Sequence, residues 1–326
     1  MYYINASSSI SFQNSFQNEE WINNLTPINE NSALITPNYK DFIDGSSLRR
    51  MSKIIRMGIA CSKDCIQQSN IAVPDAIIVG TGLGCLVDTE KFLKNTLTIE
   101  GLIPPTSFIQ STHNTIAGQI SLALKNHNYN ITHTQNTLSF EHSLIDGMLC
   151  LNEESSTVLV GSADENIPLM DELSNKFGLH HLKNKLTSGA SFFMLSETQN
   201  EKSKAVLIDS QAIGLNNSDT SSLINKFLEQ NNLSSNDIDL CLFNTNGTLS
   251  NQEVSNHFTE IECVNYEQYC GYYFSNSAFG MHLATEILSN KTENKLTANK
   301  SVKTILLFNN FNNSNIGLTI IKSIEA

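Results

Sequence analysis

Apolar residues along this chain fall into two alternating rhythms. Unbroken apolar runs bounded by polar or glycine-rich turns occur at 75–79 (DAIIV), 157–161 (TVLVG), 189–195 (GASFFML), 205–208 (AVLI), 239–243 (DLCLF), 304–308 (TILLF) and 316–321 (IGLTII). Such runs fit strands covered on both faces, as in the middle of a layered sheet. A first strand is expected at about 2–12 and a short one near 130–136. Between the runs, apolar positions recur at three- and four-residue spacing. Met51, Ile54, Ile55, Met57, Gly58 and Cys61 form one such stripe. This spacing predicts helices over 48–67, 114–124, 140–151, 221–230 and 274–281. Strand and helix alternate from end to end, which predicts an α/β fold.

The order of elements repeats. The polar stretch 197–204 separates an N-terminal half, 1–197, from a C-terminal half, 203–326. The run at 239–243 with its Asn-Thr-Asn-Gly turn echoes the run at 75–79 with its Gly-rich turn. The helix at 274–281 echoes that beginning near Phe140, 304–308 echoes 157–161, and 316–321 echoes the strand ending at Leu195. A duplicated βαβαβαββ unit, its halves joined in one structural unit, accounts for this shared order.

Composition narrows the function. With 326 residues and a hydrophobic fraction of 40%, the chain suffices for a sizeable core. No apolar run approaches the roughly 20 residues that span a bilayer. The N-terminus, MYYINA, lacks the basic and apolar regions of a signal peptide, so a cytoplasmic protein is expected. A net charge of −12 argues against nucleic-acid binding. The seven cysteines are irregularly spaced and mostly inside apolar runs, which argues against a disulfide framework. Cys61 and Cys65 have no second pair at metal-ligand spacing, so no metal is expected. The GTGLG at 80–84 departs from GxGxxG spacing and reads as a tight turn at a strand end, not a dinucleotide site. No cofactor is expected.

Candidate chemistry gathers at the start of the helix near residue 140. His142 and Asp146 are four apart on one helix face and placed to pair, with Glu141 and Ser139 beside them. Residues this close on one helix rarely converge as a hydrolytic set. The simpler reading is a polar helix start, with Ser139 as N-cap and Glu141 complementing the dipole. His113 reads as a turn or interface residue, His180 and His181 as solvated loop residues, and His282 as packed or partly exposed in an amphipathic helix. Pro104 and Pro105 predict a stiff extended approach to the helix at 114.

The order of these elements, with LRRMS at 48–52, PTSF at 105–108 followed by NTIAG at 114–118, VGSADE at 160–165 and GAS at 189–191, resembles the β-ketoacyl synthases of the thiolase superfamily. The resemblance covers almost the whole length. It is strongest to the N-terminal-like ketosynthases and chain length factors of aryl polyene, flexirubin and dialkylresorcinol pathways. It implies a thiolase-like fold with a layered αβαβα core. It also implies a catalytic Cys at the start of the third helix and two His residues. Here those positions hold Phe140, Asn244 and Phe274, and the family's GFGGTN loop reads NFNNSN at 310–315. Phe has no lone pair with which to attack a thioester, and an Asn amide cannot serve as an acid or base near neutrality. The resemblance therefore implies a non-catalytic, chain length factor type of subunit. It would pair with an active β-ketoacyl synthase and, through it, meet an acyl carrier protein. The cluster Arg49, Arg50, Lys53 and Arg56 is the local basic patch available for an acidic carrier. Two alternatives stand beside this: an acyltransferase or hydrolase using Ser139 or His142, and a homodimeric acyl-binding module.

Overall fold

The computed structural model describes residues 1–153, 155–177, 186–215, 219–244, 254, 258, 261–289, 295–297 and 301–324. Its strands are β1 (Tyr2–Ile10), β2 (Ala76–Gly80), β3 (Tyr129–His133), β4 (Thr157–Asp164), β5 (Gly189–Ser196), β6 (Ala205–Ile213), β7 (Leu240–Phe243), β8 (Glu262–Asn265), β9 (Thr304–Phe311) and β10 (Asn315–Lys322). The α-helices are α1 (Gly45–Leu48), α2 (Lys53–Ser69), α3 (Leu86–Thr98), α4 (Pro105–Ser111), α5 (Thr115–Leu124), α6 (Ser139–Glu153), α7 (Pro168–Lys176), α8 (Thr220–Gln230), α9 (Glu267–Cys270) and α10 (Ser277–Ser289).

The strands lie in the order β3-β2-β4-β5-β1-β6-β10-β9-β7-β8. Counted within its own half, each set of five has the same order, third, second, fourth, fifth, first, running outward-in to a shared seam. At that seam β1 pairs antiparallel with β6, Tyr2 opposite Leu207 and Ile4 opposite Ala205. The duplication read from the run order is thus present in the topology.

Alternation along each strand divides the core into three layers. One face carries Ile78, Val158, Val160, Phe193, Leu195, Leu242, Ile305 and Leu307, all buried in one cluster with Phe140, Leu144, Phe279 and Leu283 of α6 and α10. The opposite face of the first half, with Ile77, Val79, Leu159 and Phe192, packs on α2 and α5. That of the second half, with Cys241, Phe243, Leu306, Leu318 and Ile320, packs on α8. The layers therefore run helix, sheet, helix pair, sheet, helix, the αβαβα arrangement expected of a thiolase-like fold. Two-sided burial explains why the strands read as unbroken apolar runs.

Several elements differ from the expectation. Pro105 begins helix α4 rather than continuing an extended approach, because proline at the first helical position lacks only an N–H that would have no partner there. Pro104 alone is extended. The last long helix begins at Ser277, leaving Phe274 in the turn before it. Helices α3 and α7 and strand β8 had no clear sequence signature. Cys61 and Cys65 turn their thiols to the carbonyls of Ala190 and Phe192 in β5. Among the described residues, no helix is long and apolar enough to cross a membrane.

Candidate functional site

Both halves of the sheet bring the ends of their parallel strands to one place. From the first half come the turn after β2 and the start of α6. From the second come Asn244 after β7, the turn before α10, and the end of β9. Glycine permits the close approach. A Cβ at Gly80 would stand 2.6 Å from the Ser139 carbonyl oxygen, and one at Gly82 would run into Phe274. The GTGLG segment is thus a strand-end turn, made of glycine because α6 and Phe274 press against it.

The three positions that the resemblance singles out lie in or beside these segments. Phe140 is fully buried and packs its ring 5.7 Å from that of Phe193. Phe274 lies over Gly82, its ring 5.6 Å from that of Tyr272. The cavity beside it measures about 20 Å³ and is lined by Leu83, Met170, Leu186, Tyr272 and Tyr273. That is space for about one water molecule. Asn244 is 2% exposed, and its amide makes three hydrogen bonds. Its Nδ2 donates to Asn276 Oδ1 (2.8 Å) and Asn309 Oδ1 (3.0 Å), and its Oδ1 accepts the Asn310 N–H (2.8 Å). The rest of the Asn-Thr-Asn-Gly-Thr turn, residues 245–248, lies outside the described residues, as do His180 and His181.

Two carboxyls, Glu141 and Asp164, organise the site, and the sequence marked neither as buried. Glu141 is buried rather than sitting on the helix surface. Its Oε1 accepts from Asn309 Nδ2 at 2.8 Å, and burial pushes its pKa up to about 7. Asn309 Nδ2 also donates to the Thr137 carbonyl, so an amide chain runs from Asn276 through Asn244 and Asn309 to Glu141. Asp164, at the end of β4, ties the halves together. Its Oδ1 accepts from Thr81 Oγ1 and the Gly82 N–H, and its Oδ2 from the Ser275 N–H (2.9 Å) and Oγ (2.6 Å). Burial raises its pKa against these donors.

The substitute residues are placed differently from the expectation. Ser139 is fully buried, and its hydroxyl faces the carbonyls of Thr81 (2.9 Å) and Asn136 (2.7 Å). It therefore donates to carbonyls rather than capping the helix as an acceptor. His142 does not pair with Asp146. The Asp146 carboxylate instead meets His133 Nε2 of β3 at 2.9 Å, and His142 stacks on His133 with ring centres 6.2 Å apart. Burial, and then His133, lower the His142 pKa. His113 is exposed in the turn between α4 and α5. His282 is buried and stacks on Trp21 at 5.2 Å, and burial lowers its pKa to about 4. It lines a cleft of about 1180 Å³ with Lys204 and Glu286, at the end of the sheet opposite Asn244. The basic patch is smaller than its sequence suggests. Arg56 is tied to the Leu48 carbonyl and Lys53 to that of Asn166, while Arg49 and Arg50 are exposed.

Comparison with known proteins agrees with this architecture. No curated protein sequence matches the chain. Similar solved structures include a type II polyketide acyl-carrier protein in complex with its ketosynthase, AntDE:AntF (TM-score 0.79, 15% identity, 99% of each chain covered). The ishigamide ketosynthase/chain length factor is also similar (TM-score 0.78, 11% identity, 99% of each chain). A third is the ketosynthase ApeO in complex with its chain length factor ApeC from Xenorhabdus doucetiae (TM-score 0.71, 12% identity, 99% of this chain and 98% of that one). At these identities the likeness establishes the fold. The family model described as beta-ketoacyl synthase, N-terminal domain, matches residues 19–233, about two thirds of the sequence, and the chain belongs to the β-ketoacyl synthase family.

Proposed function

We propose that this protein is a non-catalytic subunit of the chain length factor type. On this reading it pairs in the cytoplasm with a Cys-containing β-ketoacyl synthase of a bacterial polyene or fatty-acid-like polyketide pathway. The halves 1–197 and 203–326 act as one unit, and the acyl carrier protein is met through the partner. The observation that carries the reading is the filled site: Phe140 sits in the central core, Phe274 covers Gly82, and both faces of the Asn244 amide are engaged. None of these groups is a nucleophile, and none is available to hold an acid or base against substrate.

A partner surface supports the same reading. Strand β3 is one of the two edge strands of the sheet, hydrogen-bonded only to β2 among the described residues, and an open strand edge is a template for pairing with another chain. Around it, α3, α4, the loop between them, and the outer faces of α5 and α6 present Leu93, Leu97 (86% exposed), Leu102 (99%), Phe108, Leu122 and Leu149 to solvent. A patch of large apolar residues beside an open edge fits an obligate subunit contact. Across it, side chains of this chain would shape the partner's acyl tunnel without making bonds.

The proposal is tested by incubating the purified chain alone with an activated acyl thioester and a malonyl carrier, reading intact mass and condensation product. Neither an acylated species nor product is expected. An acylated chain that disappears in Ser139→Ala would overturn the proposal in favour of the acyltransferase reading. The geometry gives that alternative little support, because the Ser139 proton is directed at carbonyls and His142 is engaged with His133.

A further inference from the structure

We propose that Cys241 and Cys263 form a redox-active thiol pair, converted by a hydroperoxide into a disulfide that joins the outer strand of the second half-sheet to its neighbour. Strands β7 and β8 are parallel, and their register sets Cys241 directly opposite Cys263. Paired residues on adjacent strands stand about 4.8 Å apart, inside the roughly 4.4–6.8 Å between Cα atoms that a disulfide spans. Both thiols are on the same side of the sheet. Cys241 is buried in the α8-facing cluster, and Cys263 packs against that cluster from the edge. The two thiols perturb each other's ionisation.

The two cysteines differ in a way that suits the chemistry. Cys263 is only partly buried, because β8 is the outermost strand. The neighbouring Cys241 thiol lowers its pKa, while burial raises that of Cys241 well above the ordinary value. The accessible sulfur is therefore the better thiolate, and the thiolate is the nucleophile. Cys263 attacks the terminal peroxide oxygen; the O–O bond breaks, and hydroxide leaves and takes up a proton as water. The resulting sulfenic acid condenses with the Cys241 thiol, forming the S–S bond and releasing a second water. Two thiols and one hydrogen peroxide give one disulfide and two waters. Two electrons pass from sulfur to oxygen.

The remaining cysteines lack this combination. Cys61, Cys65, Cys85 and Cys270 are buried and their pKa values are raised, chiefly by burial. Cys150 is partly exposed, but its pKa is also raised and no cysteine faces it among the described residues. The bond would fasten the sheet's outer edge to the strand whose end carries Asn244.

The test uses the reduced full-length protein, treated with hydrogen peroxide, quenched, unfolded in urea, alkylated and peptide-mapped. Two of the seven cysteines are expected to escape alkylation, in a cross-linked peptide joining Cys241 to Cys263, and dithiothreitol should restore both. In Cys241→Ser, Cys263 should accumulate as a sulfenic acid that dimedone traps. Alkylation of all seven, a cross-link between any other pair, or sulfinic acid at Cys263 with Cys241 still a thiol would each overturn the proposal.

Discussion

Replacing Glu141 by glutamine tests the filled site at a buried titrating group. The glutamine amide keeps an oxygen where Oε1 accepts from Asn309 and removes the ionisable proton. In the folded chain burial lifts the carboxyl from its ordinary 4.5 to about 7. The folded state therefore holds this proton more tightly than the unfolded state does. The resulting stability is fully present below pH 4.5, declines as pH rises toward 7, and is gone above it. A displacement of this size corresponds to about 3 kcal/mol, a large part of the stability of an ordinary domain. Urea unfolding of wild type and Glu141→Gln across this range should give two diverging curves. The variant gains about 3 kcal/mol on the wild type between those pH values, and the gap stays constant above pH 7. Parallel curves would refute the reasoning, because they would mean that Glu141 titrates alike in the folded and unfolded chain.

Phe140→Ala should cost about 3–5 kcal/mol by opening a cavity in the central core, measured by denaturant midpoint; a loss under about 1 kcal/mol would mean that Phe140 does not fill the site. Asn244→Ala leaves the Asn310 N–H without its acceptor and two amide oxygens without a donor, and should cost roughly 3 kcal/mol; near-wild-type stability would show that the Asn244 amide bonds contribute little to the fold. The double variant Leu102→Glu/Phe108→Glu changes exposed positions and should shift stability by only about 0.5 kcal/mol per site while abolishing co-purification with a ketosynthase. Retained co-purification would move the contact surface elsewhere.

The parts of the fold legible in the sequence are those buried on both sides. Strands such as Ala76–Gly80 and Thr304–Phe311 carry unbroken apolar runs because helices cover each face. Helix α3 was not legible because it has little core-facing stripe. Asp88 is its one buried residue, and Leu93 and Leu97 face solvent, so its apolar positions follow a surface rather than a core. Strand β8 is short and at an edge, where neither length nor two-sided burial leaves a pattern. At the site, the resemblance singled out Phe140, Asn244 and Phe274 from the order of elements alone. Glu141 and Asp164 could not be read as buried, since their partners Asn309 and Ser275 lie 168 and 111 residues away. The expected His142–Asp146 pair failed for the same reason, because a strand outside the helix brought His133 to the carboxylate.

Native mass spectrometry of the chain co-expressed with a Cys-containing β-ketoacyl synthase from the same genome tests the central claim most directly. The account predicts a stable 1:1 heterodimer in which only the synthase is acylated when an acyl thioester is added. A homodimer of this chain that excludes the synthase would contradict it.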